Sequence, residues 1–144
     1  MSFSGMVKEE LSRHVGSGRH CRIAELAAIF TFCGSLDTGT DGGISLRIQT
    51  ENEALSRKGF TLLQKTFNIE TDVSNSRINC FRRGNLFCIS LSDQMLVSEI
   101  LDSVKLKYTG MSGEMPLISD SIIYQRDCCK RAFVRGAFLS AGSI

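Results

Sequence analysis

The sequence predicts an α+β domain, with an antiparallel sheet and helices packed on one face of that sheet. Patterns typical of helices and strands follow one another in the order α, α, β, α, β, β, β, α, α, with a further strand expected near Leu36. Residues 44–50 alternate between apolar and polar side chains, which indicates a strand with one buried face. Residues 21–36 also recur as residues 129–144, and such a repeat indicates two related structural units.

The repeat consists of two segments that both predict helices. The first reads CRIAELAAIFTFCGSL and the second CKRAFVRGAFLSAGSI, with Gly34 aligned to Gly142, 108 positions later. Each helix is expected to end at its glycine, a residue that tolerates the left-handed conformation after a helix C-terminus. Small residues recur about one turn apart in both segments: Ala24, Ala28, Thr31, Ser35, Ala132, Gly136 and Ser140. A glycine inside a helix costs about 1 kcal/mol relative to alanine, so we expect close contact between the two helices rather than two unrelated core helices.

The other elements of the first half are predicted from periodicity and from turn residues. An amphipathic helix over residues 3–14 ends at a glycine-containing break, and the first repeat helix follows over 19–33. The segment DTGTDGG at 37–43 favours a turn. It leads into the alternating strand described above.

The second half predicts three helices, the last of which is the second repeat helix, and three strands. A helix over 51–67 is capped by Thr50 or Asn52 and carries acidic residues in its first turn. Gly84-Asn85 favours a two-residue hairpin turn between two of the strands. Three strands follow that helix, over 69–74, 77–83 and 86–91. The next segments are a helix over 92–104 capped by Ser92, an irregular stretch over 105–120 that contains Pro116, and the last helix, from 120 or 121 to 141.

Composition places the chain among globular domains. The 144 residues are enough for one domain with a buried core, and 42% hydrophobic and 22% charged residues are ordinary values. A formal net charge of +2 permits nucleic-acid binding without requiring it. No apolar run reaches the length of a membrane span and the N-terminus does not resemble a signal peptide, so a cytoplasmic protein without a membrane partner is expected.

Six cysteines are present, and their spacing argues against a zinc site. No C-x₂-C pair occurs, and His14 and His20 near Cys21 do not have the spacing of a zinc finger. The adjacent Cys128 and Cys129 are interpreted as packing thiols rather than as a redox pair. We therefore expect reduced, mostly buried thiols, with no metal site and no cofactor.

The two repeat segments resemble a known family. LAAIFTFCGS at 26–35 and VRGAFLSAGS at 134–143 are similar to the LAGLIDADG helices of homing endonucleases. Four longer blocks resemble the WhiA family of bacterial DNA-binding regulators linked to sporulation and cell division: MSFSGMVKEEL, CRIAELAAIFTFCGSL, IQTENEALSRKGFTLL and RDCCKRAFVRGAFLSAGSI. The resemblance implies a LAGLIDADG homing-endonuclease-like fold over residues 1–144, made of the first repeat plus the first helix of the second. It also implies that a helix-turn-helix domain, the expected reader of DNA sequence, lies in a part of the protein that this chain lacks.

The departures from the nuclease motif imply a loss of catalysis. In active relatives, the acidic residue next to the final glycine of each motif holds a divalent metal. Cys33 and Ala141 occupy these positions here, and neither supplies the oxygen ligands that Mg²⁺ prefers. No catalytic residue is therefore expected. Asp37 is the nearest acid, so a residual metal-dependent DNA endonuclease is the enzymatic alternative.

The resemblance also implies that DNA would lie on the open face of the sheet. The nucleic-acid-binding residues expected on this face are Arg47, Gln49, Arg77, Arg82 and Arg83. The alternatives are a solvated face that binds nothing, whose positive field Glu70 and Asp72 would weaken, and a face that binds a protein instead.

The last helix predicts two further kinds of contact. Its basic residues, among them Arg135, are expected to pair with acids such as Glu25. Its outer apolar surface would lack cover, which favours a homodimer, either through the small-residue helices or by exchange of the C-terminal helix. That surface comprises Phe133, Val134, Phe138 and Ile144.

Overall fold

The computed structural model describes residues 2–16, 18–39, 42–69, 77–108 and 113–142. Its helices, in chain order, are α1 (Phe3–Ser12), α2 (Arg19–Cys33), α3 (Glu53–Phe67), α4 (Gln94–Ser103) and α5 (Asp127–Ala141), and a 3₁₀ helix (Ser121–Tyr124) precedes α5. Its strands are β1 (Gly34–Thr38), β2 (Ile44–Thr50), β3 (Ile78–Arg83), β4 (Leu86–Leu91), β5 (Leu106–Tyr108) and β6 (Glu114–Ser119). The predicted α+β class is confirmed.

The strands form one antiparallel sheet in the order β3-β4-β2-β1-β6-β5. Leu46 and Ile48 of β2 are fully buried on the face that the helices cover, and Arg47 lies between them on the other face. Apolar residues of α2, α3, α4 and α5 join the inward residues of the strands in a single core cluster. The sheet therefore has one covered face and one open face, as the alternation in residues 44–50 predicts.

Two strands lie where the sequence predicts irregular structure. Met115 and Leu117 of β6 are buried, with the exposed Pro116 between them, so the alternation is that of a half-buried strand. Pro116 has Ser35 of β1 opposite it, and among the described residues β5 pairs only with residues 117–119. Within the part of the chain that the structure describes, Pro116 is thus opposed by one strand, and a sheet tolerates a missing N–H in such a position. The strand expected near Leu36 is confirmed as β1.

Helix caps follow the predicted chemistry with one change. The Asn52 side chain accepts a hydrogen bond from the Leu55 amide at 3.2 Å, which begins α3. The cap of α4 is Asp93 rather than Ser92, because the Asp93 carboxylate accepts from the amides of Met95 and Leu96. Of the strand predicted over 69–74, residues 70–74 lie outside the described residues.

The glycines that end the two repeat helices are required for space and not for a left-handed backbone. Gly34 and Gly142 have φ values of −100° and −76°, both in the extended region. A Cβ on Gly34 would lie 2.5 Å from the carbonyl oxygen of Phe30, and a Cβ on Gly142 would lie 2.7 Å from Cα of Phe138. The predicted left-handed ending is therefore wrong, because the backbone is already extended at both glycines. The last helix also begins later than predicted, at Asp127.

Among the helices of the described residues, none combines the length and the apolarity that crossing a membrane requires.

Candidate functional site

The two repeat helices, α2 and α5, pack directly against each other. Ala24, Ala28, Ala132 and Gly136 are buried between them. A Cβ on Gly136 would lie 2.6 Å from the carbonyl oxygen of Glu25 and 3.0 Å from Cβ of Ala28. The absence of a side chain at Gly136 is therefore what allows the backbone of α5 to approach α2.

The hydroxyl-bearing residues of the predicted stripe have other roles. Thr31 Oγ1 donates to the Ala27 carbonyl at 2.7 Å, and Ser140 Oγ donates to the Gly136 carbonyl at 2.8 Å. Each hydroxyl thus bonds one turn back in its own helix. Ser35 is not in the helix interface, since it belongs to β1 and stands opposite Arg47 and Pro116. The prediction for Ser35 is wrong because the chain leaves the helix at Gly34.

A buried ion cluster joins the helices. Glu25 and Lys58 have fully buried side chains, and Lys58 Nζ lies 3.0 Å from Glu25 Oε1. Arg135 donates from Nε to Oε1 and from Nη2 to Oε2 of Glu25, each at 3.2 Å. Lys58 Nζ also donates to the carbonyls of Leu11, at 3.0 Å, and His14. The cluster therefore ties α2, α3 and α5 to the end of α1.

The charge state of this cluster follows from its burial and its pairing. Desolvation lowers the pKa of Lys58, and the Glu25 carboxylate acts in the opposite direction. The predicted pair of Arg135 with Glu25 is present. Lys58 was not predicted as a partner, although one charged residue inside the apolar run of α2 is a signal that a buried counter-ion exists.

At the C-terminal ends of α2 and α5, the motif positions carry a thiol and a methyl group. Cys33 Sγ lies 3.6 Å from the carbonyl oxygen of Ser140, so the thiol links the two helices. Burial raises the pKa of Cys33. Ala141 is exposed. Asp37, the nearby acid of β1, lies 3.6 Å from Arg47 in an ion pair.

The open face of the sheet carries three of the five predicted nucleic-acid-binding residues. Arg47 has Ser35 and Ser90 opposite it, and Gln49 has Cys88 opposite it. Phe81 of β3 also stands opposite Cys88, and Arg83 lies two positions after Phe81 in the same strand, so Arg83 is on the same face as Gln49. The side chains of Arg47, Gln49 and Arg83 therefore line one surface, which we call the open sheet face.

Of the other two predicted residues, Arg82 lies on the opposite face and Arg77 precedes β3. Arg82 stands opposite Phe87, which in turn stands opposite the buried Thr50, so Arg82 belongs to the face that the helices cover. Its guanidinium lies 5.1 Å from the centre of the Phe87 ring. The Arg77 Nε donates to Asp93 at 2.8 Å, and this hydrogen bond lowers the pKa of Asp93. Arg82 and Arg83 point to opposite faces because successive side chains of a strand alternate between faces. The guanidinium of Arg77 is held by its ion pair with Asp93.

The N-terminal ends of α2 and α5 bring four ligand-type side chains together. The ligand atoms of His20, Cys21, Cys128 and Cys129 all lie within 4.8 Å of one another. Nε2 of His20 is 3.4 Å from Sγ of Cys128. No other group of three or more such side chains with metal-ligand geometry occurs among the residues that the structure describes. The thiols of Cys128 and Cys129 do pack, together with Cys21, around Ala24 and Ala132. Their closeness to His20 was not predicted, because the sequence analysis considered spacing within one segment only.

The thiols of this group, which we call the His20–Cys129 cluster, interact with one another. All six cysteines of the chain are free, and of these only Cys88 and Cys129 are buried, fewer than predicted. Burial and hydrogen bonding with Cys128 raise the pKa of Cys21 to about 11. The hydrogen bond from Cys21 lowers the pKa of Cys128. Cys128 thus favours the thiolate form, while Cys21 and Cys129 favour the protonated thiol.

A groove between α1 and α5 has an apolar floor and a basic rim. Its volume is about 560 Å³, and it is lined by Val7, Leu11, Lys130, Arg131, Val134, Arg135 and Phe138. Val134 is 64% exposed. Phe138 is partly covered, and Lys8 Nζ lies 5.7 Å from the centre of its ring. Phe133 packs on Tyr124, with the two ring centres 4.4 Å apart. Part of the outer surface of α5 that was predicted to lack cover is therefore covered by α1 and the 3₁₀ helix, while Ile144 lies outside the described residues.

Comparison with known sequences identifies the same fold type that the resemblance implies. The family model of the WhiA N-terminal LAGLIDADG-like domain matches residues 19–107. A protein of Lachnoclostridium phytofermentans described as "Probable cell division protein WhiA" is 43% identical over 145 residues, covering 100% of this chain and 46% of that protein. The corresponding protein of Desulforamulus reducens is 39% identical, with 100% and 44% covered. The chain thus spans less than half the length of these curated relatives.

Two solved structures share the fold. The N-terminal LAGLIDADG domain of DUF199/WhiA superposes with a TM-score of 0.60 at 19% identity, over 96% of this chain and 58% of that one. The full-length DUF199/WhiA from Thermatoga maritima gives a TM-score of 0.59 at 18% identity, over 97% and 39%. At this identity the comparisons establish the architecture alone.

Proposed function

Because this chain belongs to the WhiA family, through its LAGLIDADG-like N-terminal domain, we propose that it serves as a catalytically inactive, DNA-associated scaffold of a bacterial transcription regulator linked to cell division and sporulation. The domain comprises residues 1–144, and corresponds to the first LAGLIDADG repeat and the first helix of the second. It acts in the cytoplasm, and the helix-turn-helix domain implied for the whole protein supplies sequence-specific DNA binding.

The observation that carries this proposal is the contact between the ends of the two repeat helices. The helix pair and the open sheet face of a LAGLIDADG fold are both present, and they support a role in which this face holds DNA. At the helix ends, the Cys33 thiol bonds to the Ser140 carbonyl, where a nuclease needs carboxylates to hold its metal. A scaffold that retains the binding geometry and lacks the metal-holding acids is the function that fits both features.

The open sheet face supports weak, salt-dependent DNA association. Arg47, Gln49 and Arg83 provide two cations and one amide, and phosphate contacts from such groups dominate non-specific affinity. Asp37 partly neutralises Arg47, and Glu114 stands opposite Asp37 on β6. With so few uncompensated cations, the face is suited to supporting a tighter DNA-binding domain rather than to binding alone.

The test is a salt titration of DNA binding with a matched set of arginine variants. We expect Arg47→Ala and Arg83→Ala each to reduce the slope of log K against log [salt] by about 1, as for one lost phosphate contact. Arg82→Ala removes the same charge from the covered face and should leave the slope unchanged. Fluorescence anisotropy with a short labelled duplex at low salt gives the measurement.

Other results of this titration would contradict the DNA-associated role. Equal effects of all three variants would show that binding depends only on net charge. No binding at low salt would favour the protein-binding alternative. In the same samples, plasmid nicking in Mg²⁺ or Mn²⁺ that Asp37→Ala abolishes would establish the nuclease alternative and overturn the inactive assignment.

We also propose a weak homodimer, by a different route from the one first expected. The small residues of α2 and α5 already contact each other within one chain, so they offer no surface to a second copy unless α5 is exchanged. The exposed Val134 and the apolar floor of the α1–α5 groove remain available. Light scattering should show a concentration-dependent dimer that Val134→Asp abolishes. A monomer at high micromolar concentration would exclude it.

A further inference from the structure

The His20–Cys129 cluster has the composition and the convergence of a metal site. It offers three sulfurs and one imidazole nitrogen, a ligand set that recurs in four-coordinate structural zinc sites. All four ligand atoms lie within 4.8 Å of one another. In a tetrahedral site with Zn–S bonds of about 2.3 Å, neighbouring sulfurs are about 3.8 Å apart. The cluster would therefore need to contract by only about 1 Å at its widest separation.

The cluster is built by the internal repeat of the chain. His20 and Cys128 are 108 positions apart, as are Cys21 and Cys129, and this is the offset that relates the two repeat helices. Each helix thus contributes two adjacent residues from its N-terminal end. Because α2 and α5 are in close contact at Gly136, corresponding positions of the two helices come together. This explains why no zinc-like spacing exists within either segment.

Cationic groups lie near the cluster and would offset part of the negative charge of a metal–thiolate complex. Three thiolates and a neutral imidazole around a divalent ion carry a net charge of −1. Burial and the neighbouring Cys128 raise the pKa of Cys129, and the Arg126 guanidinium acts in the opposite direction. Arg131 lines a groove of about 390 Å³ together with Cys21 and Cys128. The amide ends of α2 and α5 add positive potential, and the groove gives solvent a route to the thiols.

Packing around the cluster explains what the ion would do. Cys129 and Ala132 form, with Ala24, a small apolar cluster, and the partly buried Ile123 and Phe133 pack both against it and against the main core. This end of the helix pair is therefore held by small and partly buried side chains. A cross-link here would fix the N-terminal ends of α2 and α5, about three and a half turns away from Cys33 and Ala141 in the two helices.

We propose that His20, Cys21, Cys128 and Cys129 form a structural binding site for a zinc-class divalent ion that clamps the two repeat helices together. Binding displaces one proton from each of the three thiols, and the imidazole binds through a ring nitrogen in its neutral form. No oxidation is involved, so all three sulfurs stay at the thiolate level. The site lies at the opposite end of the helices from the nuclease motif positions, so it is independent of the proposed DNA-associated function.

The experiment uses the whole chain, purified under reducing conditions and stripped of metal. Cobalt(II) and zinc(II) are then added in turn. We expect one equivalent of cobalt to give the intense visible absorption of a tetrahedral thiolate complex, and one equivalent of zinc to displace it. Zinc should also raise the melting temperature, because it binds the folded chain in preference to the unfolded one.

Matched variants locate the site. Cys128→Ser and His20→Ala should each weaken zinc binding by more than about tenfold, since even loss of an outer hydrogen-bond partner has an effect of that order. Cys80→Ser removes an exposed thiol of β3 and should bind like the parent chain. His20 and Cys128 are at least partly exposed, and the circular dichroism of the metal-free variants establishes that they fold.

Three outcomes would overturn the proposal. One is octahedral cobalt absorption, or none, in the folded parent chain. Another is a loss of binding in Cys80→Ser equal to the loss in Cys128→Ser. The third is a disulfide within the cluster, found by mass spectrometry of the freshly isolated protein, which would assign these thiols a redox role instead.

Discussion

Replacing Glu25 with alanine is expected to lower the free energy of unfolding by about 3–5 kcal/mol, the range for a buried charge that loses its partner. The Lys58 ammonium would remain fully buried, with only the carbonyls of Leu11 and His14 as acceptors. Arg135 would lose both of its hydrogen bonds to the carboxylate. Urea denaturation followed by circular dichroism measures the loss.

An exposed ion pair in the same chain provides the control. Glu9 and Arg57 are 2.8 Å apart but partly exposed, so Glu9→Ala should cost no more than about 1 kcal/mol. A triple replacement of Glu25, Lys58 and Arg135 by methionine should recover much of the lost stability, because it leaves no buried charge unpaired. If Glu25→Ala and Glu9→Ala had equal effects, the cluster would not be the link between the helices that its geometry indicates.

Replacing Gly136 with leucine is expected to produce the second large effect. A Cβ alone would lie 2.6 Å from the Glu25 carbonyl oxygen, so the helix backbones must separate to admit any side chain. Overpacking of this kind typically costs 1–3 kcal/mol and occasionally more. We expect Gly136→Leu to lose at least about 3 kcal/mol, and Gly136→Ala to lose about 1 kcal/mol despite its better helix propensity. Thermal and urea unfolding measure both variants.

The control for Gly136→Leu lies half a turn away on the same helix. Val134 is 64% exposed, so Val134→Leu changes helix propensity without changing the contact with α2, and its stability should stay within about 0.5 kcal/mol of the parent. If Gly136→Ala instead stabilised the protein by about 1 kcal/mol, helix propensity alone would decide the result. The close approach of α2 and α5 would then be excluded as the reason for the glycine.

The regions that sequence reasoning predicted well are those governed by local periodicity. The alternation of residues 44–50 matches β2, and the small residues of the repeat match the contact at Gly136. The same rules failed at residues 105–120, where Pro116 and the short β5 obscure a pair of strands. They failed also at Arg82, since a one-residue difference in a strand exchanges the covered and open faces.

The candidate site likewise contains residues that a local motif predicts and residues that only tertiary packing brings together. Cys33 and Ala141 were identified from their places in a motif, so their location at the helix ends needed no tertiary information. Lys58 was missed as the partner of Glu25 because 33 positions separate two residues that no local pattern connects. The metal-ligand geometry of Cys21 and Cys128 was missed for the same reason.

By itself, the sequence determined the α+β class, the two repeat helices and their close approach, because hydrophobic period and small-residue spacing are properties of a single segment. It also carried the motifs that resemble the WhiA family. The tertiary structure alone decided which charges meet in the buried cluster, which arginines share the open sheet face, and that His20 meets Cys128. These contacts join residues far apart along the chain, and only the packing of α2 against α5 and of both helices on the sheet brings them within bonding distance.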